Sequence, residues 1–325
     1  MKDSFKKVLK YLLSMSLAVV LLWFSFREVE WADFAGKLDA CRWGFIVLSM
    51  LAGAFAFWLR GIRWRQLLLP IDPSISRMTT FNGINIGNIS NFVFPRIGEF
   101  IRCGVITRRS SATYDKVLGT VVLERGWELL VMLLMLCIVV VGGFDRFGGF
   151  FVEQIWSPMA SRFNTGVWWI LAAFCLAGLG AFYALWRFRN SIGFFGKVWG
   201  IFRGVLQGFS SCFRMERKWL FFAYTAFIWM VYWFMASCTV WAAPFLDHLT
   251  IMDALFLSLV GGLGFAVPVP GGIGAFHFVI SLALMGVYGV PMETGIIYAT
   301  LSHTSQAITQ IIFGLISYAY EAIKK

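Results

Sequence analysis

The chain carries few charged residues, and no lysine or arginine lies between Lys218 and Lys324. Charged residues make up 14% of its 325 residues, whereas about 25% is usual in a soluble domain. Hydrophobic residues make up 59%, with repeated apolar runs of roughly 20 residues, the length that spans a bilayer as a helix. Since backbone polar groups in lipid must be satisfied within helices or closed barrels, this composition predicts an all-α integral membrane protein.

Motifs that mark common enzyme and cofactor sites are also missing. The sequence has no HExxH, no GxSxG and no aspartate-rich metal motif, which excludes the enzyme classes that depend on them. The glycines of 271–274 do not follow a predicted strand, which excludes a nucleotide site. The six cysteines are scattered without a CxxC pair, so neither disulfides nor metal ligands are expected. We therefore predict a protein that is not an enzyme and that binds no cofactor and no metal.

The net charge of +11 does not indicate nucleic-acid binding, because the cations lie at the ends of apolar segments rather than in one patch. Such a distribution is typical of cytoplasmic loops, and it predicts a membrane protein with both termini in the cytoplasm. Arg60, Arg63 and Arg65 are expected at the cytoplasmic end of the second helix. The predicted spans of the single transmembrane domain, 1–325, are about 8–26, 43–62, 117–142, 167–186, 219–243 and 294–320.

A basic connector of about 187–218 separates the two halves of the chain. Its apolar residues recur every three or four positions from Ile192 to Phe209, which predicts an amphipathic helix on the inner leaflet. For its first few residues, a solvated loop fits the pattern equally well.

Two segments, about 79–108 and 254–289, are interrupted by proline and glycine in matching places. The interruptions read PRIGEF at 95–100 and PGGIGAF at 270–276. Basic residues flank the first segment and acidic residues flank the second, so both ends of the first are expected in the cytoplasm and both ends of the second outside. Each segment is therefore predicted to be a broken, re-entrant helical hairpin, which requires burial in protein or a water-filled cavity.

The order of span, hairpin and span occurs twice, in about 43–142 and about 219–320, with opposite orientation. Inverted repeats with discontinuous helices are typical of transporters, and their substrates bind where the broken helices meet. The predicted fold is a polytopic helical bundle with two inverted repeats, each containing one broken hairpin.

A helix that begins inside the membrane presents free N–H groups and partial positive charge, which favour an anion such as phosphate. We predict a lipid headgroup site where the two half-helices begin, near Ile97 and Ile273. The candidate residues are Arg96, Ile97, Gly98, Glu99, Arg102, Glu124, Arg125, Gly271, Gly272, Ile273 and Gly274, with His277, Ser302 and His303 as polar partners in the second half.

Each of these features also has a purely structural interpretation. Proline and glycine can kink helices for packing alone. Arg96, Glu99 and Arg102 are three residues apart and could pair along a half-helix, so that the costly membrane charges only lock the hairpin. The histidines either carry protons or form ordinary hydrogen bonds. Asparagines at every third position either join helices or line a wet cavity; they are Asn82, Asn85, Asn88 and Asn91.

Four sequence elements, taken together, resemble a known family. They are Arg60-x-x-Arg63-Trp64, Asn91-x-x-x-Pro95-Arg96-x-Gly98-Glu99-x-x-Arg102, Glu124-Arg125 and Pro268-x-Pro270-Gly-Gly-Ile-Gly274. This combination resembles the lysylphosphatidylglycerol synthase transmembrane-region (flippase-domain) family. In its large members the region precedes an aminoacyl-transferase domain and is associated with moving aminoacylated phospholipid between leaflets. The resemblance implies a small stand-alone member in the bacterial inner membrane that lacks the transferase domain.

The expected function is to bind an anionic phospholipid or a polyprenyl-phosphate glycolipid and to move it between leaflets. The expected partner is thus a membrane lipid or lipid-linked glycan, and a second copy of the chain or a separate synthase could also associate with it. The alternatives are a lipid-modifying enzyme that uses the membrane carboxylates, and a non-catalytic membrane partner of a separate lipid or glycan synthase.

Overall fold

A computed structural model describes residues 30–149, 152–157, 193–209 and 215–324, with scattered positions between 16 and 26 and between 169 and 188. These described residues are mainly helical and form no strand. The helices are α1 (Trp31–Asp39), α2 (Trp43–Leu68), α3 (Arg77–Val93), α4 (Gly98–Thr107), α5 (Tyr114–Gly142), α6 (Gly193–Phe209), α7 (Lys218–Ala242), α8 (Ile251–Gly264), α9 (Ala275–Tyr288) and α10 (Met292–Ile323), with π-helical turns at Phe144–Gly148 and Val152–Trp156 and 3-10 turns at Pro244–Leu246 and Pro270–Gly272.

Four helical segments are long and apolar enough to cross a membrane, which confirms a multi-pass helical membrane protein. They are α2, α5, α7 and Pro270–Tyr288, a segment that contains α9. The predicted span 294–320 does form a helix, α10, of 32 residues. It is not among the four because polar residues between Ser302 and Gln310 lower its mean hydropathy.

Four further segments of the predicted topology are two spans, the loop after the first span and the basic connector. The predicted spans 8–26 and 167–186 fall largely outside the described residues. The loop expected after the first span contains α1, which is tied to the start of α10 by the Lys37 amine donating to Thr294 Oγ1 at 2.9 Å. The connector contains the predicted helix, α6, which packs along α5 with Gly204 against Asp115; its position on the inner leaflet stays a prediction.

The central helices pack in antiparallel pairs. Along α2 and α7, Phe45 contacts Trp241, and ten residues further along α2 Phe55 contacts Phe227, each at 5.8 Å between ring centroids. A second pair is formed by α3 and α10, and a third by α5 and α8. The apolar side chains buried between these helices form the largest core clusters of the described residues.

The two helix-turn-helix units, α3–α4 and α8–α9, lie where the hairpins were predicted. Each begins with a side-chain cap, because Ser76 Oγ accepts from the Thr79 N–H at 3.0 Å and Thr250 forms a capping box with Asp253. These caps satisfy N–H groups that the first helical turn leaves free. The two units are joined to the long helices by short connections, which fixes where their breaks lie in the bundle.

The ends of each unit are held together by one aspartate. At the first unit, Asp72 Oδ2 accepts from the Ser111 N–H at 2.7 Å and from its hydroxyl at 2.8 Å. At the second, the Tyr288 hydroxyl donates to Asp253 Oδ1 at 3.0 Å. Since α2 separates Asp72 from the Arg42–Asp247 ion pair beside the second unit, the two aspartates mark opposite ends of the bundle.

Candidate functional site

The two helix breaks meet each other in the middle of the bundle. The Arg96 guanidinium, in the first break, donates from Nη2 to the Ala266 carbonyl of the second at 2.6 Å. The ring of Phe92, at the end of α3, lies against Gly271, where a Cβ would come within 2.5 Å of it. The sequence motifs that are far apart along the chain are therefore neighbours in space.

The first break is closely packed and its helix start is already capped. Arg96 has φ 59°, a left-handed conformation that is costly for a residue with a side chain. The Gly98 N–H, which opens α4, donates to Asn91 Oδ1 at 2.8 Å. A Cβ at Gly98 would lie 2.0 Å from the Gly87 carbonyl, so this glycine permits close approach of α3 and α4. Its N–H is occupied rather than available to a ligand.

The second break depends on glycine conformation. Gly271, Gly272 and Gly274 have φ values of 59°, 75° and 82°, which favour glycine. Gly272 donates its N–H to the Val269 carbonyl at 3.2 Å, and Ile273 donates to Pro270 at 3.1 Å. The turn itself therefore uses the Gly272 N–H, which is not one of the free N–H groups expected where this half-helix begins.

Beside the first break lies a buried charge cluster, in which three glutamates face four arginines of α2, α4 and α5. Glu124 is fully buried and accepts ion pairs from Arg102 at 2.8 Å, from Arg63 at 3.3 Å and from Arg125 at 3.6 Å. The cluster comprises Arg60, Arg63, Arg102, Arg125, Glu99, Glu124 and Glu128.

The remaining contacts of the cluster complete a network between helices. Arg125 pairs with Glu128 at 2.9 Å and with Glu99 at 3.6 Å, and Arg63 also pairs with Glu128. The Arg102 guanidinium lies over the Trp64 ring at 4.7 Å, a cation–π contact that stabilises a desolvated charge. With four arginines and three glutamates, the cluster has one positive charge in excess.

Two details of this network contradict the sequence analysis. Arg60 and Arg63 do not lie at the end of the second helix, because α2 continues to Leu68 and brings Arg63 into the interior with no exposed surface. Glu99 pairs with Arg125 on α5 and not with Arg96 or Arg102, since Arg96 lies in the turn rather than on the half-helix.

Several N–H groups of the cluster have no acceptor. Nε and Nη1 of Arg63, Nε and Nη2 of Arg102, and Nε of Arg60 are buried without a hydrogen-bond partner among the described residues. Buried donors of this kind are costly and indicate that an acceptor completes the site. One carboxylate oxygen, Glu99 Oε2, is also left without a hydrogen-bond partner among the described residues, but arginine donors are in the majority.

A cavity of about 850 Å³ joins the charge cluster to both breaks. Predicted site residues that line it are Arg96, Gly98, Glu99, Arg102, Arg125, Gly271, Gly272, Ser302 and His303. Those that do not are Ile97, Glu124, Ile273, Gly274 and His277, although Glu124 supports the cavity through its ion pairs.

Lining residues that the predicted site omitted are Arg60, Arg63 and Glu128 together with Asn88, Tyr232 and Gln306. The Arg60 and Arg63 side chains could have been included from the resemblance, which uses both. Tyr232 and Gln306 carry no local sequence signal, because their place in the cavity depends on how α7 and α10 pack.

Beside the second break lie two histidine side chains, whereas beside the first break lies the charge cluster. His303 Nε2 and the Gly271 carbonyl are 2.8 Å apart, so His303 fixes the second break. The rings of His277 and His303 lie 5.1 Å apart, and the Phe265 ring stacks on His303 at 5.9 Å. His277 Nδ1 is buried without a hydrogen-bond partner among the described residues.

The asparagines of α3 divide into two groups. Asn82 and Asn85 donate to Glu321 at 2.7 Å and Ser317 at 3.2 Å, joining α3 to α10. Asn88 and Asn91 line the cavity, where the Asn88 amide nitrogen has no hydrogen-bond partner among the described residues. The stripe therefore joins helices at Asn82 and Asn85 and faces a cavity at Asn88 and Asn91, because a period of three drifts around a helix of 3.6 residues per turn.

Comparison with known protein families identifies the family of the chain. The family model for the lysylphosphatidylglycerol synthase TM region matches residues 8–314, and the chain therefore belongs to this family. No curated protein and no solved structure matches the chain. Family membership indicates a lipid-related role in the membrane.

Proposed function

We propose that this member of the lysylphosphatidylglycerol synthase transmembrane-region family binds the phosphate of an anionic lipid headgroup in its central cavity and moves the lipid between leaflets. The observation that carries the proposal is the set of unpartnered arginine N–H groups on Arg63 and Arg102 at the cavity. Phosphate oxygens accept strong, charge-assisted hydrogen bonds from guanidinium groups. A phosphate there would also balance the excess positive charge of the cluster.

The lengths of the broken helices support re-entrant hairpins. α4 has 10 residues and α9 has 14, which correspond to about 15 Å and 21 Å at 1.5 Å per residue. Both are shorter than the roughly 30 Å of bilayer hydrocarbon. The segment Pro270–Tyr288 reaches a spanning length only by including Gly271, which is not helical.

The packing order supports two inverted repeats. The first helices of the two halves, α2 and α7, run antiparallel, and α3–α10 and α5–α8 are corresponding antiparallel pairs. The aspartate-tied ends of the two hairpin units lie at opposite ends of the bundle, at Asp72 and Asp253. A cavity between two such repeats can open to one side or the other when one repeat rocks against its partner.

The proposed mechanism follows from these positions. The headgroup phosphate binds Arg63 and Arg102, the polar headgroup contacts Asn88 and Gln306, and the lipid chains stay in the membrane. Arg96 holds the two breaks together through the Ala266 carbonyl. If the repeats rock against each other, the hydrogen bond from Arg96 to Ala266 has to break. Arg96 would therefore control the opening of the cavity.

The test is leaflet exchange of labelled anionic and zwitterionic lipids in proteoliposomes. We expect the wild-type chain to accelerate exchange of an anionic lipid and Arg102→Gln to slow it by at least about tenfold, the effect of losing one charge-assisted bond. Arg42→Gln is the matched control, since Arg42 forms a half-exposed ion pair with Asp247 away from the cavity. Equal exchange by Arg102→Gln and wild type would reject the proposal, and covalent change of the lipid would favour an enzyme.

The topology has a separate test. Single cysteines at positions 77 and 110, in a background without the native cysteines, should both react with a membrane-impermeant reagent from the cytoplasmic side. Both positions flank the first hairpin, whose ends meet at Asp72 and Ser111. Labelling from opposite sides would remove the first hairpin and the inverted repeat with it.

A further inference from the structure

We infer that an apolar groove between α5 and α7 holds an ester-linked acyl chain of the phospholipid whose phosphate binds the charge cluster; this inference rests on the proposed function. The groove has a volume of about 410 Å³. Its walls include Trp127, Val131 and Met135 on α5 and Phe222, Ala226 and Trp229 on α7. These side chains offer an apolar surface to hydrocarbon.

The groove lies beside the cavity that contains the charge cluster. Trp229 lines both the groove and the cavity. On α5, Trp127 lines the groove while its neighbour Glu128 lines the cavity and pairs with Arg125 at 2.9 Å. A lipid with its phosphate on the arginines would therefore pass one chain beside the Trp229 side chain to reach the groove.

The corresponding gap in the other half of the molecule is closed. By the order of elements, α5 and α7 correspond to α10 and α2. There the Gln306 amide donates to Ser49 Oγ at 3.2 Å, and α2 and α10 pack against each other. Among the described helices, no hydrogen bond of this kind closes the gap between α5 and α7, and the outer edge of the groove carries Phe222 and Met230, which are 41% and 54% exposed. This side therefore suits lateral entry from the lipid.

The indole N–H of Trp127, a residue of the groove wall, indicates which kind of lipid chain the groove holds. The indole nitrogen of Trp127 is buried and has no hydrogen-bond partner among the described residues. An ester carbonyl lies between the phosphate and the hydrocarbon of a phospholipid, and it can accept a hydrogen bond from an indole N–H. A polyprenyl phosphate has no carbonyl at that point. The groove therefore favours a diacyl phospholipid.

The test uses phosphatidylglycerol with a photoreactive diazirine in one acyl chain, bound to the purified full-length chain in nanodiscs. Peptide mapping should find crosslinks on α5 and α7, at Val131, Phe222 and Met230. Ala226→Trp fills the groove and should reduce these crosslinks at least fivefold. Ala223→Trp is the matched control, because Ala223 is exposed one turn earlier on α7 and does not line the groove; it should leave them unchanged.

Comparison of Arg102→Gln with Ala226→Trp separates this inference from the proposed function. Arg102→Gln should reduce crosslinking in the groove, because the headgroup is no longer held. If Arg102→Gln lowers retention of the lipid while crosslinks fall on other helices and Ala226→Trp has no effect, the groove inference is wrong and the proposed function stands. If Arg102→Gln leaves both retention and crosslinking unchanged, the proposed function fails.

The nature of the chain is tested with Trp127→Phe, which keeps a ring but removes the N–H. Loss of one hydrogen bond should weaken binding of the ester-linked lipid about fivefold and leave a dialkyl ether analogue unaffected. Equal effects on ester and ether lipids would contradict the ester assignment. Tighter retention of a polyprenyl phosphate than of phosphatidylglycerol would do the same.

Discussion

The break at 94–97 and the break at 265–274 each connect two short helices, yet different forces hold them. At the first, α4 is joined to α5 by ion pairs such as Arg102–Glu124. At the second, α9 packs on α10 through small residues, with Gly295 against Ser281, and through His303 beside the Gly271 carbonyl. The comparison shows that proline and glycine set a common architecture, whereas the facing long helix decides the chemistry.

The largest expected difference between the two breaks is in the free energy of unfolding that is lost when each is mutated. Glu124→Gln keeps the shape of the side chain but leaves the buried Arg63 and Arg102, and the partly exposed Arg125, without their shared carboxylate. We expect a loss of about 3–5 kcal/mol in the free energy of unfolding, the usual cost of breaking a buried ion pair. His303→Phe removes one hydrogen bond at the second break and should cost about 1 kcal/mol.

Both values can be measured by denaturant titration in mixed detergent micelles. Equal losses for Glu124→Gln and His303→Phe would mean that charge does not distinguish the two breaks. A gain in stability for Glu124→Gln would show that the cluster is strained rather than locked.

A smaller effect is expected for glycine at the second break. Gly271→Ala adds a Cβ at φ 59° that would meet the Phe92 ring at 2.5 Å. Gly289→Ala meets nothing within 4 Å at φ 64°, so it reports the backbone cost alone, about 1 kcal/mol. We expect Gly271→Ala to lower the free energy of unfolding by more than Gly289→Ala in the same titration. Equal losses would show that the contact between the two breaks adds no constraint.

The smallest effect is expected at Asp72, whose hydrogen bonds hold the two ends of the first hairpin together. Hydrogen bonds from Ser74 and Ser111 hold the pKa of Asp72 well below its usual range. Because this pKa is lower in the folded chain, the carboxylate stabilises the fold above a pH of about 4, and the contribution is lost as the pH falls through the folded pKa. Asp72→Asn should remove that part of the acid dependence of the melting temperature.

The control for Asp72→Asn is Asp247→Asn, which changes a half-exposed ion pair at the other end of the bundle. It should keep the acid dependence that Asp72 provides. If both variants melt with the wild-type pH profile, the Asp72 tie does not contribute to stability.

The helices were predictable because proline, glycine and apolar length are local signals. The two helix-turn-helix units begin and end within three residues of their predicted bounds, at 77–107 and 251–288. Side-chain partners were not predictable in the same way. The pairing of Glu99 with Arg125 depends on how α4 packs on α5, and Arg63 reaches the interior because α2 continues to Leu68. Neither fact appears in the spacing of residues along one helix.

The central claim is that the phosphate binds in the first half of the molecule. Isothermal titration of the detergent-solubilised chain with short-chain dihexanoyl phosphatidylglycerol measures this directly, since the short chains make little use of the groove. The account predicts that Arg102→Gln weakens binding at least about tenfold, while His303→Phe stays within twofold of wild type. Wild-type affinity in Arg102→Gln, or an equal loss in His303→Phe, would contradict it.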